Sequence, residues 1–235
     1  MTYTIVGSVI GYAMIVYGSF EVEVLSRILI AWVVSPLSGI VLAYALDKLL
    51  RKIFENVLED KRFNKIISYA LIGALCFSAY SFGANDVGNA TGVYVAVTNE
   101  VLGLPDNSTM LLLTVLGSIG IAVGGLTWGR KVIETVAFKI VRIDVLSGLA
   151  AETTNALVVY LFTTIPYIYL GYGLPVSTSI VGIGAIVGTA FARGQGLVDK
   201  MTMVRLLVTW LITLPVTATI SATLYMIFTN VVKLL

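Results

Sequence analysis

The sequence predicts an all-α integral membrane bundle, and three observations carry that prediction. Of 235 residues, 58% are hydrophobic and 12% charged, with a mean hydropathy of +0.96. A soluble domain of this size needs far more charge to cover its surface. Apolar stretches of about 17–25 residues, the length a helix needs to cross hydrocarbon, recur along the chain. The chain also repeats itself, and the charges flanking the two copies are placed oppositely. Strict alternation over about ten residues, the signature of a membrane barrel strand, is absent from the sequence.

Taken in order, a short apolar segment at 4–18 precedes a full span at 28–46. A span at 66–82 is followed by a polar-interrupted segment at 84–98, then by full spans at 109–128 and 146–165. A short segment at 174–192 and a last full span at 206–230 complete the set. Between them, loop 47–65 carries six Lys/Arg and loop 129–144 carries four, while 193–205 holds Arg193, Lys200 and Arg205. The positive-inside rule assigns all three loops to the cytoplasmic face of a cell membrane.

Several function classes fall away. The net charge of +2 is spread over loops without a basic patch, so no nucleic-acid partner is expected. The one cysteine, Cys76, excludes an internal disulfide framework. The absence of histidine removes Ser-His hydrolases, His-ligated zinc or haem, and histidine proton relays. The apolar first twenty residues lack a basic start and a cleavage pattern, so no signal peptide is expected.

"TIVGSVIGYAMIVYG" near the start resembles "IVGIGAIVGTAFARGQG" near the end, aligning Gly7 and Gly11 with Gly184 and Gly188 at an offset of 177. "RILIAWVVSPLSG" (27–39) matches "RLLVTWLITLPVT" (205–217), pairing Arg27 with Arg205 and Trp32 with Trp210 at an offset of 178. Apolar helices often look alike by chance, but a shared Arg, Trp and nearby Pro at nearly one offset favour duplication. The loop before Trp210 is basic, whereas the loop before Trp32 holds Glu21 and Glu23 with Arg27. Segment 28–46 then enters the cytoplasm and 206–230 leaves it. Opposed copies are the inverted repeat of many secondary transporters, whose sites lie between the repeats on interrupted helices. The expected division is a remainder of the first repeat at 1–46, a cytoplasmic charged loop at 47–65 and a second repeat at 66–235. By the offset, the first-repeat partner of Gly83 would lie upstream of Met1, so the first repeat is expected to be incomplete.

Few ionisable groups fall inside the spans: Asp86 and Glu152 are the clear ones, with Glu100 nearer an end. A carboxylate in hydrocarbon is costly and by default a functional hypothesis. In "GANDVGNA" (83–90), Asp86 and Asn89 are three apart and Asn85 and Asn89 four apart, so a helix would cluster their oxygens. These hard ligands suit a small hard cation such as sodium. Gly83 and Gly88 are expected to let the backbone open toward a cavity. The alternative is polar glue at a helix-packing notch.

In "GYGLPVSTSIVGIGAIVG", Gly173 and Pro175 interrupt the apolar pattern and three hydroxyls follow, Ser177, Thr178 and Ser179. With Pro175 in the first helical turn, unpaired N–H groups would stand beside those hydroxyls, an arrangement suited to an oxyanion. An ordinary capped break is the competing reading. Gly182, Gly184 and Gly188 would allow close helix approach. Neither motif contains Lys or Arg, so a bound anion would need cations such as sodium to neutralise it. Glu152, beside Thr153, Thr154 and Asn155, is either an accessory ligand or proton carrier, or an interfacial residue, with the interface favoured.

These motifs resemble the inorganic phosphate transporter (PiT) family. "GANDVGNA" is similar to that family's signature GANDVANA, with Gly88 for Ala, and "GLPVSTS" resembles its second signature, P-V-S-T-T-H. The stretch 129–152 also looks like the family's segment between them, and the likeness runs along essentially the whole chain. The resemblance implies an inverted-repeat secondary transporter with broken or re-entrant helices, taking up inorganic phosphate with sodium or protons and often dimeric. Some relatives move sulfate. Carried over by position, Asn85, Asp86 and Asn89 fall on the cation signature and Ser177, Thr178 and Ser179 on the hydroxyl signature. The family's His falls on Ile180, and Ser179 stands where Thr is usual. "MTYTIVGSVIG" looks like the tail of a first P-x-S-T-T-H motif, which places Thr2 on its last Thr, as a further phosphate ligand, and Tyr3 on its His.

The function expected is therefore cation-coupled phosphate transport in the lipid bilayer. The alternatives are sulfate transport or a non-transporting membrane subunit that needs a partner. The partner is either a second copy or a separate upstream chain completing the first repeat, and without it this chain is expected to transport weakly. An intramembrane enzyme using Asp86 would lack a histidine, a cysteine pair or a second well-placed carboxylate, and no organic cofactor is expected.

Overall fold

The structure is a computed structural model that describes residues 1–54, 61–103, 105–139, 143–194 and 200–234. Among the described residues seven helices follow in order: α1 (Thr2–Val16), α2 (Val22–Phe54), α3 (Lys61–Leu102), α4 (Asn107–Lys139), α5 (Val145–Leu170), α6 (Thr178–Ala192) and α7 (Lys200–Leu234). No strand occurs among the described residues. Five of the helices are long and apolar enough to cross a membrane. Apolar side chains on α4 and α7 stay exposed, Leu126 at 87% and Leu211 at 74%. Lipid is the solvent that tolerates such faces, and the chain is a multi-pass membrane protein.

α6 is different. Its 15 residues span about 22 Å, less than the roughly 30 Å of hydrocarbon. Ile180, Val181 and Ile183 through Ala190 are buried along it. A helix too short to cross and hidden from lipid is the broken, re-entrant element anticipated from the sequence. α1 has the same length.

The chain forms two compact units, Met1–Leu29 with Lys200–Leu235, and Ile30–Asp199. In the first, α1 packs on α7 through two glycines. A Cβ on Gly7 would lie 2.6 Å from the Leu214 carbonyl oxygen, and one on Gly11 would lie 2.0 Å from that of Ala218. Tyr12 and Tyr225 meet edge to face at 5.2 Å. In the second unit the same contact recurs. A Cβ on Gly184 would lie 2.5 Å from the Pro36 carbonyl oxygen, and one on Gly188 would lie 2.2 Å from that of Ile40. Positions 36 and 40 are the repeat equivalents of 214 and 218 at the offset of 178. The duplicated glycines thus make duplicated helix crossings, each time against the corresponding helix of the other copy. Only a residue without a Cβ permits so close an approach to backbone.

Around α5 and α6, Ala31, Val159 and Val176 are buried together against Phe82, Phe162 and Leu174. A second cluster joins Phe63, Ile67, Ala74, Leu146 and Leu149.

Three expectations need correction. Segments 66–82 and 84–98 are one continuous helix, and the backbone at Gly83 and Gly88 stays helical. The cost of an interior Gly, about 1 kcal/mol against Ala, is small beside the cost of exposing backbone groups at membrane depth. Residues 47–54 and 61–65 are helical ends rather than loop. So are 129–139, while 55–60 and 140–142 lie outside the described residues. Lys, Arg and Glu are good helix formers, so a span continues into water without a break. Finally, Pro175 precedes the α6 N-cap Ser177 by two residues and is not in the first turn.

Candidate functional site

The site grows from the break between α5 and α6. α5 ends at Gly171, whose φ of 79° is the left-handed conformation favoured by glycine. The chain then runs without regular structure to Ser177. Its backbone groups still need partners, and side chains supply them. The Leu174 N–H donates to the Phe162 carbonyl at 3.0 Å. The Leu174 carbonyl accepts from Thr163 Oγ1 at 3.4 Å. The Pro175 carbonyl accepts from Trp32 Nε1 at 2.9 Å. Val176 is held from both sides by Asn85, whose Nδ2 donates to its carbonyl at 2.9 Å and whose Oδ1 accepts its N–H at 3.2 Å.

Asn85 therefore does for this segment what a neighbouring strand would do. Its Oδ1 also accepts from Thr163 Oγ1 at 3.3 Å, and the residue is buried. Asn85 Nδ2 further donates to Asp86 Oδ1 at 2.8 Å, and Thr178 Oγ1 donates to Asp86 Oδ2 at 3.5 Å. The carboxylate of the first motif and the hydroxyl of the second, 92 residues apart in sequence, are thus in contact.

Two cavities meet this layer. One of about 390 Å³ is lined by Phe82, Glu152, Asn155, Thr178, Ser179 and Gly182, among others, and reaches Ile143 near the start of α5. The other, about 560 Å³, is lined by Tyr80, Asn85, Asn89, Thr163, Tyr167 and Pro175, among others, toward the other end of α5. Asn85 lines one, Thr178 lines the other, and Asp86 is hydrogen-bonded to both.

The first cavity holds both donors and acceptors. Thr178 and Ser179 occupy the first turn of α6, where the leading N–H groups have no intrahelical acceptor. Ser177 is the N-cap, and its side chain makes no capping hydrogen bond. Glu152 lies on the cavity wall with its carboxylate accepting from Ser78 Oγ. Asn89 lines the second cavity. Thr2 is buried at the start of α1, in the other unit. The side chain of Glu100 lies outside the described residues.

Beyond the first cavity, at the start of α5, lies an ionic cluster. Asp47 is fully buried and accepts from Arg51 Nε at 2.8 Å and from Ser147 Oγ at 2.6 Å. Arg51 Nη2 also donates to Asp144 Oδ2 at 2.6 Å, and Arg193 Nη1 lies 3.7 Å from the same oxygen. Asp144 caps α5, accepting the Ser147 N–H at 2.9 Å. Partial burial pushes the Asp144 carboxyl upward, but the Ser147 N–H and the Arg51 guanidinium outweigh it, so its pKa lies below the ordinary value.

The sequence reading missed the parts played by Thr163, Trp32 and Asn155. Trp32 carried a signal in its repeat partner Trp210. Thr163 and Asn155 carried none beyond being polar within an apolar span.

Residues 1–221 match the phosphate transporter family. The chain is 26% identical to a protein of Thermococcus kodakarensis named "Putative phosphate permease", over 96% of this chain and 71% of that one. It is 32% identical to sodium-dependent phosphate transporter 1 of Homo sapiens, over 71% of this chain but 24% of the relative. A solved structure titled "The sodium-dependent phosphate transporter" shares its fold, with a TM-score of 0.60 at 24% identity over 97% of this chain and 64% of that one. The chain thus spans between about a quarter and under three quarters of these proteins' lengths. With its duplicated helix crossings and a match over nearly its whole length, the chain belongs to the phosphate transporter family.

Proposed function

We propose that this chain takes part in secondary transport of inorganic phosphate across the cell membrane, coupled to sodium. The observation that carries the reading is the contact of Asp86 with Asn85 and Thr178, which brings a carboxylate against the N-terminus of the short helix α6. Thr178 and Ser179, with Ser177 at the cap, are the anion-binding end. Asp86 and Asn89 are the cation-binding end, and Asn85 holds the two together. A carboxylate beside an anion site is unfavourable unless cations stand between them, and sodium supplies that charge. Glu152 is an accessory group on the cavity wall.

The sodium assignment is supported by relatives named as sodium-dependent phosphate transporters. Charged ends 47–65, 129–144 and 193–205 are assigned to the cytoplasm on their Lys and Arg content. Because transport at a repeat interface draws ligands from both halves, the full cycle is assigned to an assembly. A second copy or a separate chain then contributes first-repeat ligands, with Thr2 as this chain's own.

The test is uptake of radiolabelled phosphate into proteoliposomes holding the chain alone or with a first-repeat fragment. Phosphate uptake driven by an inward sodium gradient is expected in the complete assembly. Uptake driven equally by a proton gradient, or by sodium with sulfate as the better substrate, would overturn the coupling ion or the substrate respectively.

A further inference from the structure

Asn155 stands out among the polar side chains of the first cavity. It lies on α5, one turn beyond Glu152, with 9% of its surface exposed, and it lines the cavity together with Thr178 and Ser179. Its Oδ1 is buried with no hydrogen-bond partner among the described residues. Its Nδ2 lies against Gly182, so close that a Cβ there would sit 2.9 Å away. A buried amide oxygen without a donor costs about 1–3 kcal/mol, so such a group is retained where something else supplies the donor.

The rest of the cavity says what that donor belongs to. The Ser179 hydroxyl and the leading N–H groups of α6 offer hydrogen to oxyanion oxygens, while the Thr178 hydroxyl hydrogen is engaged by Asp86. Asn155 and Glu152 offer lone pairs instead. A tetrahedral oxyanion carrying a hydroxyl satisfies both sets, because its bare oxygens accept and its hydroxyl donates. Phosphate retains at least one hydroxyl near neutral pH, whereas sulfate has none and would leave the acceptors facing oxygen.

We propose that Asn155 is a specificity residue of this cavity, accepting the hydroxyl hydrogen of a protonated tetrahedral oxyanion and thereby favouring phosphate over sulfate. This rests on the reading that the cavity binds the transported anion. Gly182 is the companion feature, since it leaves room for the amide. Asn155 touches the substrate and is distinct from the Asp86 layer that senses the cation.

The test is equilibrium binding of radiolabelled phosphate and radiolabelled sulfate to the purified complete assembly, in sodium, as the ratio of the two affinities. A ratio within one sample is insensitive to any unfolded fraction. Wild type should prefer phosphate, and monofluorophosphate, which has the shape of phosphate without the hydroxyl near neutral pH, should compete as weakly as sulfate. Asn155→Leu keeps the side-chain volume and removes the acceptor, so phosphate affinity should fall about tenfold while sulfate affinity holds, collapsing the preference. Asn155→Ser, which keeps an acceptor, should retain part of it. Gly182→Ala leaves Asn155 in place chemically but displaces its amide, and should also narrow the ratio. An unchanged ratio in Asn155→Leu, or equal loss of both anions, would overturn the assignment while leaving the cavity an anion site. Binding of neither anion by wild type would instead overturn the underlying reading of the cavity.

Discussion

The side-chain amide of Asn85 pairs with the backbone of Val176 in both directions, donating at 2.9 Å and accepting at 3.2 Å. One residue of a continuous helix thereby holds the unwound segment that launches α6. Asn85→Leu would remove both hydrogen bonds that the amide makes to the Val176 backbone. At about 0.5–1.5 kcal/mol for each bond, the variant should lose roughly 1–3 kcal/mol of stability. Thermal unfolding in detergent checks this, with Asn85→Asp expected to be damaging too, because a carboxylate cannot donate to the carbonyl. A variant as stable as wild type would show that the clamp is dispensable.

Asp86→Asn should abolish sodium-coupled phosphate uptake by the complete assembly while membrane insertion and helical content stay normal. The amide keeps the shape and can still accept from Asn85 Nδ2 while its own Nδ2 donates to Thr178 Oγ1, but it loses the charge that holds a cation. Uptake at the wild-type rate with unchanged sodium dependence would reduce Asp86 to structural glue.

Gly184 and Gly188 should tolerate no side chain. A Cβ on Gly184 meets the Pro36 carbonyl oxygen at 2.5 Å, and backbone cannot give way as a flexible side chain can. Gly184→Val is expected to cost about 1–3 kcal/mol or more from overpacking, and Gly7→Val should behave alike through the equivalent contact with Leu214. Comparable yields and melting temperatures for both variants and the wild type would contradict the repeated crossing.

Arg51→Met should be among the more damaging changes, since Asp47 is fully buried and takes its ionic partner from Arg51 at 2.8 Å. Removing one member of a fully buried pair typically costs about 3–5 kcal/mol, and the loss here should fall below that because Arg51 is 33% exposed and Ser147 still donates to Asp47. Adding Asp47→Asn to that background should recover part of the loss. If the double variant is no better than the single one, the penalty does not come from an unpaired carboxylate.

Asp144 ties this cluster to pH. Its folded-state pKa is depressed, so its contribution is present above the unfolded value of about 3.9 and is lost as pH falls through the folded value. Melting temperature should therefore drop on acidification below about pH 4, and the drop should be shallower in Asp144→Asn. Asp144→Ala should also lose the α5 cap, about 1 kcal/mol at neutral pH. A wild-type acid limb unchanged in Asp144→Asn would assign the titration elsewhere.

Much of the architecture could be read before any coordinates. The helical class follows from apolar spans, because hydrocarbon leaves helices as the way to satisfy backbone polar groups once barrel alternation is absent. The duplication was legible in Gly7, Gly11, Gly184 and Gly188, because a glycine required by close packing leaves its mark at one position. The two polar motifs were legible for the opposite reason: Asp86 and the run Ser177–Ser179 are expensive inside an apolar chain.

What folding alone settled is where those groups meet. Sequence suggested a helix opened at Gly83 and Gly88 and a helix beginning at Pro175, and the chain does neither. The backbone breaks once in this region, before Thr178, and the side chain of Asn85 closes the hydrogen bonds of the break from another helix. Such pairing depends on which surfaces face each other across 91 residues of sequence, and no local propensity encodes it. For the same reason Asn155 read as one more amide in a span until Gly182 was seen beside it. Its place at the cavity is a property of two helices packed together, because Gly182, on the neighbouring helix, supplies the space the amide occupies.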